Sequence, residues 1–183
     1  MLDVPLCYGG DFLRQARLSD AHKIAVLLKS AIADGSVLPV NEVQIAVEIN
    51  TYYVYTVEGE IAALGKLTPY GEGAEIGKLV RDKCFQGRGL PNKLVRYMLE
   101  IACKQGFAYV FALSIKPRMW NFFEALGFSA CQRQALPALW AACYDFTRPS
   151  QAYRLMLGQM GKAPSIPSFS GSLKLETDDA ISI

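Results

Sequence analysis

The sequence predicts an α/β fold in which a mixed central β-sheet is flanked by helices. β-Rich runs alternate with helical patterns along the chain, and a Gly-rich turn at 86–89 joins an apolar strand to a helix. The 183 residues, 51% of them hydrophobic and 20% charged, suffice for one domain with a substantial core and are too apolar for a disordered chain. We therefore expect a single domain over residues 1–160.

Hydrophobic periodicity and turn residues set the order of the elements. Glycines mark several boundaries between elements: Asp34-Gly35 and Gly106 are predicted to end helices, and Glu58-Gly59 is predicted to form a hairpin turn. In chain order we predict a strand at 12–17, a helix between Asp20 and Asp34, a helix at 41–49 with Val43, Ala46, Val47 and Ile49 inward, strands at 51–57, 60–68 and 74–81, a helix at 92–104, a buried strand at 108–113, a helix at 117–126, two strands between 128 and 146, and a terminal helix at 150–158.

Composition and charge exclude several classes of partner. The net charge of +2 comes without a dense Lys/Arg stripe, so no nucleic-acid surface is predicted. No apolar run approaches the ~20 residues of a membrane span, and the N-terminus has neither a basic nor a long apolar segment typical of a signal peptide. We expect a soluble cytoplasmic protein without a membrane partner. Residues 161–183 turn to Ser, Pro and Gly without periodicity and are predicted to form a flexible tail.

The cysteine and histidine content predicts no metal site. The chain has one histidine and an odd number of cysteines, without a CxxC pair. We interpret all of the cysteines as structural, namely Cys7, Cys84, Cys103, Cys131 and Cys143.

The Gly-rich turn has a geometry that suits a phosphate or pyrophosphate. A turn that leaves a strand and begins a helix directs several backbone N–H groups and the positive end of the helix dipole at one place. No Gly-Lys-Ser/Thr follows, and a third glycine for a dinucleotide fingerprint is absent, so the better-known nucleotide loops do not match.

The run Gln86-Gly87-Arg88-Gly89-Leu90 resembles the acetyl-CoA loop of the GNAT N-acetyltransferases, Gln/Arg-x-x-Gly-x-Gly/Ala. Pro91 stands where that family usually has Gly or Ala, which removes one N–H donor. The segment 122–128 is similar to the family's closing motif, aromatic-aromatic-Glu-x-Leu-Gly-Phe, so the resemblance covers roughly residues 12–158. It implies a GNAT-like fold with acetyl-CoA as co-substrate, held by Leu79, Val80, Arg81, Gln86, Gly87, Arg88, Gly89, Leu90, Asn121 and Phe122.

Within that superfamily the chain is most similar to N-acetylglutamate synthases. The matching runs are Ala74-Glu75-Ile76, Phe111-Ala112-Leu113-Ser114, and Leu136-Pro137 followed by 144–151, in which Tyr, Arg and Ser match but Asp145, Thr147 and Gln151 do not. Those synthases tend to have Leu-Pro-Arg after the first helix, whereas this chain has Leu38-Pro39-Val40.

Acetyl transfer to an amine requires a base, and Glu75 fits by its position on the central strand and by resemblance. Ser114 is the resemblance-based donor to the leaving thiolate, and a bulge near Val80 and Arg81 is expected to supply the oxyanion N–H. The resemblance assigns the substrate carboxylates to Lys78, Arg148 and Ser150. Strict alternation places Lys78 on the opposite face from Glu75 unless the bulge intervenes.

The leading hypothesis is an N-acetyltransferase that acts on the α-amine of an amino acid, with glutamate as first candidate, as in arginine biosynthesis. Two alternatives stay open: another small amine as acceptor, favoured by Val40 and the altered C-terminal run, and a non-catalytic acetyl-CoA-binding regulatory module, favoured by Pro91. We expect a homodimer.

Overall fold

The computed structural model describes residues 6–8 and 11–158, which form one eight-stranded mixed sheet flanked by helices, as predicted. The strands are β1 (Leu6–Tyr8), β2 (Asp11–Gln15), β3 (Tyr52–Val57), β4 (Glu60–Tyr70), β5 (Gly73–Arg81), β6 (Tyr109–Ser114), β7 (Ser129–Cys131) and β8 (Gln151–Met156). The helices are α1 (Ala21–Ala33), α2 (Glu42–Val47), α3 (Leu90–Lys104), α4 (Arg118–Ala125) and α5 (Ala138–Ala141), with 3-10 turns at Leu18–Asp20, Ile49–Thr51, Lys83–Phe85 and Arg133–Ala135. The predicted tail, 161–183, lies outside the described residues.

The sheet is covered by helices on both faces. Its strand order is β1-β2-β3-β4-β5-β6-β8-β7. All six residues of β3 are buried, because alternate side chains enter two different cores: Tyr53 and Tyr55 pack with α3 and α4, whereas Tyr52 and Val54 pack with α1 and α2. The aromatic run 52–55 is therefore part of the core.

Strands β5 and β6 pair over a short distance and then separate. Their parallel pairing joins Gly73, Ala74 and Glu75 to Tyr109, Val110 and Phe111. Beyond Glu75, β5 is paired only with β4, and the end of β6 is paired only with β8. A wedge opens in the middle of the sheet at Glu75, and backbone groups of β5 that would pair with a parallel neighbour face it.

One extra residue in β5 lies beside this wedge. Gly77 pairs with Lys66 and Val80 pairs with Leu64, so β5 has three steps where β4 has two. Lys78 takes up the difference with φ 50°, a left-handed conformation that is costly for a residue with a Cβ. The bulge therefore begins two residues earlier than the predicted position at Val80 and Arg81, both of which are paired with β4.

The predicted terminal helix at 150–158 is wrong, because residues 151–156 form β8. This strand lies between β6 and β7 and pairs antiparallel with both. Pairing on two sides and burial of Ala152 and Tyr153 override the local propensity of the segment. Only one of the two strands predicted between 128 and 146 is present, β7, and the rest of that segment forms a 3-10 turn and α5.

The predicted inward face of α2 is wrong for Val43 and Val47, whereas Ala46 and Ile49 do pack against the core. Val43 is 72% exposed and Val47 is 80% exposed, whereas Ile45 is fully buried. A capping box between Asn41 and Gln44 fixes where the helix begins. That start turns Ile45 toward the core, and Ile49, which follows the helix, is buried beside it.

The left-handed conformation of Lys78 predicts an unusual preference for glycine at that position. Lys78→Gly and Lys78→Ala both remove the cation, but alanine keeps the strained Cβ, so the alanine variant should be less stable by about 1 kcal/mol. Chemical denaturation of both variants measures the difference. Thr68 lies on the adjacent strand β4 and has no positive φ. There the glycine variant should be less stable than the alanine variant, since glycine weakens an extended strand. A more stable Lys78→Ala variant would contradict the bulge geometry.

Candidate active site

A pocket lies at the wedge between β5 and β6, and it brings together residues that are far apart in the sequence. All of the side chains predicted for catalysis and substrate binding line it, namely Glu75, Lys78, Ser114, Arg148 and Ser150. The other polar lining residues are ones that sequence reasoning missed, namely Ser36, Lys66, Thr68, Tyr70 and Tyr144. The extra residue in β5 explains why Glu75 and Lys78 reach the same pocket despite their spacing of three.

Glu75 is suited to exchange a proton near neutral pH. Burial raises the pKa of its carboxyl to about 7, and the positive charges of Lys66 and Lys78 and a hydrogen bond from Trp140 oppose that rise. Burial dominates because a carboxylate loses its hydration in the pocket. The carboxyl is therefore ionised in a large fraction of molecules at neutral pH, yet far more basic than an exposed glutamate.

Trp140 is a further residue that the sequence did not single out. It is 3% exposed, and its ring stacks on Tyr144 with centroids 4.3 Å apart and meets Phe111 edge-on at 5.8 Å. The Tyr144 hydroxyl and Ser150 Oγ are hydrogen-bonded at 2.5 Å. The short helix α5 thus connects the Glu75 carboxyl to the predicted substrate-binding segment through packed aromatic rings.

Two cations of the pocket, Lys78 and Arg148, are held by the loop that follows α1. Lys78 Nζ donates to the Leu38 carbonyl oxygen at 3.1 Å, and Arg148 Nη2 donates to the Gly35 carbonyl oxygen at 2.9 Å. Lys116 forms an ion pair with Asp34 at 3.0 Å. Burial and the nearby Lys66 lower the pKa of Lys78 to about 8, while Glu75 and Glu48 raise it. These backbone contacts keep both cations facing the pocket.

Ser114 ends β6 and is 3% exposed. Its Oγ accepts the backbone N–H of Lys116 at 3.0 Å, and its own O–H reaches the Lys116 carbonyl only across 3.4 Å. Because that second contact is long, the hydroxyl proton can be redirected at small cost. The structure thus leaves Ser114 able to donate into the pocket.

Val40 does not contribute to the pocket. It is one of the partly buried residues that pack against the core formed with α1 and α2. Lys66, on β4, lines the pocket and supplies a positive charge that the sequence did not lead us to expect. A lysine on a strand is usually a solvated charge, so only the tertiary structure distinguishes this one.

The predicted cofactor loop has an accessible backbone. Gly87 has φ 78° and Gly89, the N-cap of α3, has φ 65°, and a Cβ built on either glycine meets no atom within 4 Å. The constraint on both residues is therefore conformational, and the space beside them is open to a ligand. Pro91 occupies the second position of α3, where the missing N–H has no acceptor inside the helix anyway. The loop fits a phosphate-bearing group.

The remaining predicted cofactor residues differ in what they offer. Leu79 and Val80 are buried in cores on opposite faces of the sheet, so only their backbone groups reach the wedge. Arg81 is 4% exposed, and burial together with the nearby Arg118 lowers its pKa. Asn121 is exposed on α4, and Phe122 packs on the Phe123 ring with centroids 5.5 Å apart.

Residues 6–8 and 11–158 contain no group of three or more His, Cys, Asp or Glu side chains placed to hold a metal ion. None of their helices is long and apolar enough to cross a membrane.

The fold and the loop define an acetyltransferase-type domain, and comparison with known proteins agrees. Residues 33–128, just over half of the chain, match the model of the acetyltransferase (GNAT) family. This chain belongs to the GNAT family.

The curated relatives are similar at low identity. An amino-acid acetyltransferase of Pseudomonas aeruginosa is 26% identical over 147 residues, which are 79% of this chain and 34% of that protein. This chain therefore spans about a third of the length of that relative. An uncharacterized N-acetyltransferase of Chlorobaculum tepidum is 24% identical over 133 residues, which are 72% of this chain and 84% of that protein.

Solved structures share the fold. N-acetylglutamate synthase from Neisseria gonorrhoeae, complexed with coenzyme A and N-acetyl-glutamate, superposes with a TM-score of 0.76 at 21% identity, over 82% of this chain and 36% of that one. Rv2747 from Mycobacterium tuberculosis, in complex with CoA and NLQ, has a TM-score of 0.68 at 20% identity, over 79% of this chain and 98% of that one.

Substitution of Gly89 tests the loop. Gly89→Val places a branched side chain on a left-handed residue and in the open space beside it, so acetyl-CoA binding should fall at least tenfold in titration calorimetry. Gly106→Val is the matched control: Gly106 has φ 80° and equally open surroundings, but it follows the other end of α3. Unchanged affinity in Gly89→Val, or equal losses in both variants, would contradict the assignment of the loop.

Proposed function

We propose that this protein transfers the acetyl group of acetyl-CoA to the α-amine of an amino acid, with glutamate as first candidate. The observation that carries the proposal is the pocket at the wedge, where a carboxyl with a pKa of about 7, Glu75, faces Lys78 and Arg148. A base and cations in one enclosed place suit an acceptor that bears an amine and carboxylates.

The proposed binding site for the pyrophosphate of acetyl-CoA is the loop 86–90. Its backbone N–H groups and the positive end of the α3 dipole are available to a pyrophosphate, and Arg88 adds a positive charge beside them. The unpaired edge of β5 offers further N–H and C=O groups at the wedge. Acetyl-CoA bound there supplies the thioester.

Glu75 takes the proton that the α-ammonium group must lose. The neutral amine then forms a C–N bond to the acetyl carbon and the C–S bond breaks. The second proton lost by the nitrogen passes to the sulfur, through Ser114 or water, so that the cofactor leaves as the thiol. A thiol has a pKa of about 8.5 in model compounds, so its thiolate is a fair leaving group. A hydroxyl donor such as Ser114 assists its departure without being indispensable. A backbone N–H of β5 close to the bulge is the proposed donor to the oxyanion.

The acceptor's carboxylates are assigned to Lys78, Arg148 and Ser150. Lys78 and Arg148 now bind the carbonyl oxygens of Leu38 and Gly35, which are neutral acceptors. A carboxylate is a stronger acceptor for either cation, so an acidic substrate gains from replacing these contacts. A different small amine is the second candidate, because Val40 packs in the core and leaves the pocket without one arginine that the synthases tend to have.

Replacing Glu75 tests the base. Glu75→Gln keeps the size of the side chain and removes the proton acceptor, so turnover should fall about 10²- to 10⁴-fold with acetyl-CoA affinity preserved. The base works only when ionised, so wild-type turnover should rise as the pH increases through the Glu75 pKa of about 7. Thiol release across the neutral range measures both effects. The control is Glu72→Gln, in the exposed turn before β5. If turnover barely changes, another group or bulk water takes the proton.

Replacing Arg148 tests the acceptor. Arg148→Ala should lose roughly tenfold or more in kcat/KM for glutamate and much less for glutamine, since only glutamate presents a second carboxylate. Arg96→Ala, an exposed arginine on α3, is the control for loss of a positive charge. Equal losses for both acceptors, or a wild-type enzyme that acts only on neutral or cationic amines, would favour the second candidate. Thiol release that is absent with every acceptor would indicate a non-catalytic acetyl-CoA-binding module.

A further inference from the structure

Lys66 is a partly buried cation in the acceptor pocket that the mechanism above does not use. It lies on β4 opposite Gly77, where the β5 bulge begins, and its side chain is only 12% exposed. It lines the same pocket as Glu75, Lys78 and Arg148. Burial of an ammonium group is costly unless an anion compensates for it. An anion bound beside Lys66 offsets this cost.

The anion that now contacts Lys66 is a residue on the surface. Lys66 Nζ donates to Glu48 Oε2 at 2.9 Å, and Glu48, the C-cap of α2, is 47% exposed. The Lys66 ammonium also lies 5.6 Å from the centre of the Tyr52 ring, which is fully buried. The Lys66 ammonium therefore lies near a buried aromatic ring, and the carboxylate that binds it belongs to an exposed side chain.

The charges of the pocket favour an acceptor with a net negative charge. Its lining cations are Lys66, Lys78 and Arg148 and its lining carboxylate is Glu75, which leaves two positive charges when all are ionised. Glu48 neutralises one of them through its ion pair with Lys66. An acidic amino acid, with two carboxylates and one ammonium group, carries one negative charge and can replace that of Glu48, whereas a neutral amino acid carries none.

We infer that Lys66 determines the specificity for an acidic acceptor: it binds one of the acceptor's carboxylates, which displaces the Glu48 carboxylate from Lys66 Nζ. The inference rests on the proposed function and extends it. Lys66 provides from β4 a cation that the loop after α1 lacks at Val40. The positive charge of Lys66 helps to lower the pKa of Lys78, and an anion bound between the two lysines opposes that effect.

Two substitutions of the ion pair should act in opposite directions. Lys66→Met keeps the length of the side chain and removes the charge, so KM for glutamate should rise at least tenfold while KM for glutamine changes less than threefold. Glu48→Gln removes the competing carboxylate, so KM for glutamate should fall. Lys66→Arg should restore much of the preference for glutamate. Steady-state thiol release with both acceptors measures these changes.

A purely structural role for the ion pair gives a different pattern. If Lys66 only anchors the end of α2 through Glu48, both Lys66→Met and Glu48→Gln impair glutamate and glutamine alike and lower the melting temperature together. That pattern overturns the inference. Equal KM values for glutamate in Lys66→Met and wild type also overturn it, and they leave the proposed function intact.

A direct measurement of glutamate binding distinguishes failure of the inference from failure of the proposed function. Glutamate is titrated into the wild-type protein and Lys66→Met in the presence of coenzyme A. If the wild type shows no turnover with any amino acid but binds glutamate, and Lys66→Met does not bind it, the proposed reaction fails and the role of Lys66 stands. If the wild type does not bind glutamate, the role of Lys66 is overturned.

Discussion

The active-site geometry depends on one extra residue in β5. Residues three apart on a regular strand point to opposite faces, so Glu75 and Lys78 would not share a pocket in an unbroken β5. The bulge at Lys78 reverses the alternation after Gly77 and places both side chains at the wedge. The cost is a left-handed lysine, roughly 1–2 kcal/mol. Strain of this kind persists where the surrounding structure imposes it, and here pairing with β4 on both sides of the bulge does so.

The same bulge sets the electrostatics of the site. It brings Lys78 close to Glu75 and Lys66. The two lysines lower the pKa of Glu75, while Lys66 lowers and Glu75 raises the pKa of Lys78. Burial alone would leave Glu75 protonated at neutral pH, and the two lysines alone would make it a weak base. Because burial and the two lysines act in opposite directions, the pKa of Glu75 is about 7. The carbonyl oxygens of Gly35 and Leu38 stabilise Arg148 and Lys78 without adding a negative charge that would compete for them.

The parts of this fold that the sequence predicts are those set by local chemistry. The Gly-rich loop, the hairpin and the α3 pattern follow from backbone conformation and periodicity, and the predicted side chains Glu75 and Ser114 do line one pocket. The parts that it misses depend on distant contacts. Residues 151–156 become a strand because β6 and β7 both pair with them, and Lys66 becomes a pocket residue because β4 and β5 shift register beside it.

The two halves of the site are built differently, and this bears on how far similarity to relatives extends. The proposed cofactor loop is one local segment, and it lies inside the region that matches the GNAT family, residues 33–128. The proposed acceptor pocket is assembled from the loop after α1, from β4 and β5, and from the segment that contains Arg148 and Ser150, which lies beyond that region. A change in any one of these segments alters the charge of the pocket without touching the cofactor loop. In this chain Val40, in the loop after α1, packs against a core and gives the pocket no charge, whereas β4 gives it the cation of Lys66.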